Sequence, residues 1–162
     1  MHKDIIYRMS MIRYLSILTA IVITACNSSL NPSEEISSRT EMGCRPSKIQ
    51  KSPNDFLEIQ GDMKSEGELW ALLFFETARV NEDAKIAWRI TGENDEFQAQ
   101  ARNEEGNVIE PSWIEYHGGS NWQCPGQEWG TGFNFPTPGC WTITVSRGET
   151  TGEIALGVLA TE

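Results

Sequence analysis

Four cysteines and two histidines are the scarce chemical groups of this 162-residue chain, set against 23 Asp and Glu residues. His2 stands at the extreme N-terminus. His117, in "EYHGGSN", has no second histidine nearby, and Cys124 lies seven residues on. A zinc site needs three or four ligands in tetrahedral geometry, so His117 reads as a loop histidine. No nucleophile elbow, phosphate loop or HExxH run is present. The carboxylates Glu104 and Glu105, and Glu93 and Asp95, fall in turn-like stretches where solvated charge is the default. Glycoside hydrolysis asks only for two carboxylates at a fixed separation, so a hydrolase stays as an alternative. The expectation is a non-enzyme with no cofactor, no metal and no catalytic residue. What stands out is the aromatic run "PSWIEYHGGSNWQCPGQEWGTGF", Pro111 to Phe133, which carries Trp113, Tyr116, Trp122 and Trp129 among Gly, Asn and Gln. Such rings close one end of a small core, or form a protein interface, or stack on sugar rings in a carbohydrate-binding module while amides take the hydroxyls.

Cys26 has a different setting. Lys3, Arg8 and Arg13 precede an uncharged apolar segment from about Tyr14 to Ala25. At about 12 residues it is too short for a helix crossing roughly 30 Å of hydrocarbon. A basic flank, a short apolar core and small residues at its end make a secretory signal. The segment closes on Ile23-Thr24-Ala25-Cys26, which resembles the lipobox of bacterial lipoproteins. That resemblance implies cleavage before Cys26, a diacylglycerol unit on its sulfur and an acyl chain such as palmitate on the new amino group. Two or more chains hold a protein stably to a membrane, whereas one holds it marginally. Residues 1–25 are then a signal peptide. Residues 26–43, rich in Ser, Glu and Asn, are a lipidated flexible tether, and residues 44–162 are the folded domain. The expected address is extracytoplasmic, on the outer membrane if the cell has one, because Asn27 follows the cysteine.

Charge narrows the partners. The formal net charge is −10, and without residues 1–25 ten basic residues face 22 acidic ones, a balance of −12. An acidic surface is repelled by nucleic acid and by anionic head groups. The membrane is therefore reached through lipid rather than through charge. The expected partner is another envelope protein or a glycan, and no nucleic acid.

The elements that must position these residues show a period of two. "KIAWRIT" sets Ile86, Trp88 and Ile90 on one face, "EFQAQAR" sets Phe97, Ala99 and Ala101, "CWTITVS" sets Trp141, Ile143 and Val145, and "EIALGVL" sets Ile154, Leu156 and Val158. Such alternation is what a half-buried antiparallel strand needs. "LWALLFF", Leu69 to Phe75, is apolar throughout and reads as a central strand. Turn signals such as "GDMKSEG", "TGEND" and "HGGSN" separate the runs. The expected fold is all-β, an antiparallel β-sandwich of about seven or eight strands.

The end of the chain carries a second resemblance. "FNFPTPGCWTITV", Phe133 to Val145, is similar to the closing motif of a family of bacterial exported proteins and lipoproteins. Those sequences also carry a G-x-LW segment, matched by Gly67-Glu68-Leu69-Trp70, and an earlier cysteine, matched by Cys44. The resemblance implies an immunoglobulin-like sandwich and a pairing of Cys44 with Cys140. Nearness in sequence points instead to Cys124–Cys140. Export favours disulfides in either case. Closing the short loop contributes roughly 3 kcal/mol in the chain-entropy treatment and closing the long one about 4.7.

Overall fold

Each alternating run becomes a strand with its apolar side chains turned to one interior. The computed structural model describes residues 45–93 and 96–161, all within one unit, Arg39–Glu162. The expected signal segment, the tether, Cys26 and Cys44 lie outside the described residues. In chain order the strands are β1 (Gln50–Lys51), β2 (Leu57–Gln60), β3 (Asp62–Met63), β4 (Leu69–Leu73), β5 (Ala78–Arg79), β6 (Asp83–Ile90), β7 (Phe97–Asn103), β8 (Val108–Ile109), β9 (Trp113–His117), β10 (Gln127–Asn134), β11 (Gly139–Arg147) and β12 (Thr150–Leu159). Eight of them have four or more residues, and no helix occurs among the described residues.

The strands form two sheets. The first has the order β1-β2-β4-β6-β10-β9, the second β3-β12-β11-β7-β8. If β4, β6, β7, β9, β10, β11 and β12 are lettered A to G, one sheet reads ABED and the other CFG. That is the immunoglobulin order, so the fold is an immunoglobulin-like β-sandwich. β2 and β1 extend the first sheet beyond its A strand, and β8 widens the second beside C.

The main core lies between the sheets. Ile86, Trp88 and Ile90 of β6 face Trp141, Ile143 and Val145 of β11, and all six are fully buried. Each such side chain contributes about 1.5–3 kcal/mol of apolar burial. The Trp88 indole N–H, which would otherwise be orphaned there, donates to Thr131 Oγ1 at 2.8 Å. Pro136 and Pro138 hold the chain out of the ladder until Gly139, whose φ of 122° turns it into β11. Trp141 is then the first inward residue, and its indole N–H reaches back to the Thr137 carbonyl at 3.0 Å.

β12 is the longest strand, and three separate segments cover its free edge. Met63 and Asp62 of β3 pair with Gly152 and Glu153. Ala78 and Arg79 of β5 pair in parallel with Val158 and Leu159. Between them Ser47 donates its N–H to the Ala155 carbonyl at 2.8 Å and accepts the Ala155 N–H on its hydroxyl at 2.9 Å.

Candidate functional site

The aromatic run is strand, loop and strand. β9 and β10 pair antiparallel with Tyr116 opposite Trp129 and Trp113 opposite Gly132, and residues 118–126 join them. In β10, Trp129, Thr131 and Phe133 point into the sandwich, while Gly130 and Gly132 fall on the outer face. The period of two is therefore present in "EWGTGFN". It is hard to see because its outward positions are glycines.

These glycines make room for rings. A Cβ on Gly132 would stand 2.2 Å from the Trp113 Nε1, and one on Gly130 would stand 2.8 Å from the His117 Nε2. Trp113 and His117, both half-buried, thus lie against a glycine shelf on the outer face of the first sheet. Among the described residues no group of three His, Cys, Asp or Glu side chains is placed to hold a metal ion.

The four aromatic candidates form no common platform. Trp129 is buried inside, stacked on Phe97 with ring centroids 4.9 Å apart, and the Arg147 guanidinium lies 5.3 Å from its ring. Tyr116 meets the edge of Trp129 at 5.5 Å and is 57 % exposed. Trp113 and Trp122 are on the opposite side of the sheet, and Trp122 is buried there. Packing accounts for Trp122 and Trp129, and Tyr116 alone of the four is openly exposed.

Trp122 is buried because its loop folds back over the outer face. There it joins Leu72 and Ala87 in a second, small core, with Trp70 and Cys124 packed against it. Arg89 of β6 holds the loop down. Its Nη1 donates to the Cys124 and Gly126 carbonyls at 2.9 and 3.3 Å, and its Nη2 donates to Ser120 Oγ at 3.2 Å. The same guanidinium pairs with Glu128 at 3.1 Å and lies 5.8 Å from the Trp122 ring. Ser120 also donates to Glu128 Oε2. Only a covered sheet face explains why "LWALL" in β4 is apolar on both sides. Leu69, Ala71 and Leu73 face the main core, and Trp70 and Leu72 face the loop.

Beside this loop, the β1–β2 turn leaves a groove of about 360 Å³, lined by Pro53, Phe56, Glu58, Trp122 and Cys124 among others. Phe56 is 40 % exposed at its rim, whereas Glu58 is only 8 % exposed. Glu58 Oε1 accepts the Trp122 indole N–H at 2.8 Å. Lys64 pairs with Glu153 and Arg89 with Glu128, and neither of these cations pairs with Glu58. Cys124 is a free thiol. Burial, followed by the nearby Glu58 carboxylate, raises its pKa to about 11, which keeps it protonated and a poor nucleophile.

The free state of Cys124 excludes the Cys124–Cys140 alternative. No signal in the sequence pointed to Glu58, Arg89 or Phe56, because their roles arise from strand pairing between distant segments. Comparison with protein-family models, with curated proteins and with solved structures finds no match.

Proposed function

We propose that the protein is a lipid-anchored, extracytoplasmic binding protein of a bacterial envelope. Cys26 anchors it, and the groove between the β1–β2 turn and the β9–β10 loop receives its partner. The observation that carries the binding half is that groove, which is apolar-walled and rimmed by an exposed Phe56. A tightly packed sandwich gains nothing in stability from leaving such a ring in water, whereas Phe is a favoured anchor at interfaces. The anchoring half is supported by the uncharged segment that ends in Ile23-Thr24-Ala25-Cys26. A glycan platform is not carried forward, because stacking on a sugar needs free ring faces and Trp122 and Trp129 are buried.

The Cys44–Cys140 bridge belongs to the same proposal. Cys140 stands opposite Gly157 in the register of β11 and β12. A Cβ on Gly157 would meet Pro46 at 3.7 Å, so the chain two residues beyond Cys44 already passes over that spot. The bridge would tie the first residues of the domain to a central strand and stop that end from fraying.

Two measurements test the function. Cys26→Ser should leave an unprocessed precursor that incorporates no labelled fatty acid; processing like the wild type would remove the anchor. A photo-crosslinking residue at position 56 should trap a partner in the native envelope, while one at Gln100, on the outer face of the second sheet, should not. Equal trapping at both would remove the groove.

A further inference from the structure

The groove has an unusual floor. A carboxylate taken out of water is costly unless a cation or several hydrogen bonds satisfy it. Glu58 is nine-tenths buried, yet the one hydrogen bond assigned to it comes from a neutral indole. Its neighbourhood adds to the negative charge. Glu68, exposed beside the small core, accepts the Trp70 indole N–H at 3.1 Å. Two cations of β6 flank the Glu58 row on this face: Arg89 is committed to Glu128 and to the loop carbonyls, and Lys85 lies over the Phe74 ring at 4.5 Å. The walls above Glu58 are Phe56, Pro53 and Trp122. A buried anion under an aromatic and aliphatic wall is complementary to a cation on a hydrocarbon stem: the charge meets the carboxylate, and the stem and ring faces meet each other.

We propose that this groove binds an alkylammonium group, a protonated amine on an aliphatic chain, with Glu58 as its counter-ion and Phe56 and Trp122 flanking the stem. The inference rests on the groove being the binding surface and adds the chemistry of what enters it. The overall charge of −10 draws such cations toward the domain at low ionic strength. A free amine and the lysine side chain of a partner protein present the same group, and the test separates them.

The full chain in detergent micelles is titrated calorimetrically with n-pentylammonium chloride, with pentan-1-ol, and with a capped Gly-Lys-Gly peptide. The expected result is one-to-one millimolar or tighter binding of at least one of the two cationic probes, weakening with added salt, and no binding of the alcohol. Binding of pentylammonium at least as tight as the peptide points to a free amine. Preference for the peptide points to a partner's lysine. Glu58→Gln should weaken the interaction at least tenfold. Phe56→Ala, at an exposed position, should weaken it severalfold. The proposal is overturned if neither cation binds the folded wild type, if pentan-1-ol binds as well as the amine, or if affinity survives Phe56→Ala while Glu58→Gln is either unchanged or unfolded. Partner trapping at position 56 without amine binding overturns the cation alone and leaves the groove as the binding surface. Amine binding without trapping does the reverse.

Discussion

Arg89→Met should be among the most damaging single substitutions on the outer face of the first sheet. Arg89 and Glu128 are 16 % and 9 % exposed at their side chains and 3.1 Å apart. Removing the guanidinium leaves a nearly buried carboxylate without its cation and strips the Cys124 and Gly126 carbonyls of their donor. Breaking a buried pair from one side costs about 3–5 kcal/mol, whereas replacing both partners by apolar residues of similar size is close to neutral. The Ser120 hydroxyl still serves Glu128, so the lower part of that range, about 3 kcal/mol, is expected. With a urea m-value of about 2 kcal/mol/M for a domain of this size, the midpoint should fall by roughly 1.5 M. Arg89→Met/Glu128→Leu should lie within about 1 kcal/mol of the wild type, well below the summed cost of the two single substitutions. The assay is urea unfolding followed by far-ultraviolet circular dichroism, with m held constant across the set. A cost below about 1 kcal/mol for Arg89→Met, or simple additivity in the double variant, would refute the view that this pair clasps the loop.

Three further outcomes are expected. Non-reducing peptide mapping should recover a linked peptide containing Cys44 and Cys140, with Cys124 alkylated; a Cys124–Cys140 peptide would refute the pairing. Cys124 in the folded protein should react with maleimide about a hundredfold more slowly at pH 8 than after unfolding, because its raised pKa of about 11 leaves little thiolate, and the rate should climb with pH up to that value. Gly132→Ala should expel Trp113 from its shelf, since the new Cβ would stand 2.2 Å from the indole nitrogen; an unshifted Trp113 signal in a heteronuclear spectrum with unchanged stability would count against it.

The fold was legible where one face meets the core and the other meets water. β6, β7, β11 and β12 occupy the runs whose alternation gave them away, and Trp141 is the inward residue that its proline-rich approach requires. β10 was harder. Its outward positions are glycines, so "GTGFN" resembles a loop until the rings of Trp113 and His117 are seen lying on it. "LWALLFF" marked a central strand correctly, but its unbroken apolarity comes from a folded-back loop rather than from a second sheet on that side. Phe74 lies just past the strand's end, its N–H still on the Lys85 carbonyl at 3.2 Å, and its exposed ring lies under the Lys85 ammonium at 4.5 Å. The candidate site was least legible. Aromatic residues announce themselves, but their side of the sheet depends on register, and a one-residue slip reverses it. The groove needs Phe56 and Glu58 to come beside Trp122 and Cys124, more than 60 residues away, and no local pattern encodes that meeting.

The three-part cover on β12 has a consequence for how copies of this protein behave when crowded together. A ten-residue strand with a bare edge is a template on which a neighbour's strand can add, and crowding would multiply such encounters. Here the template is interrupted. Asp62–Met63, Ser47 and Ala78–Arg79 each occupy a short stretch of the edge, and none offers a continuous ladder to a newcomer. An invading strand would have to displace three unrelated pieces of chain at once. Concatenation through this edge is thereby blocked by the fold itself, and the domain can stand at high density beside its own copies without polymerising through its longest strand.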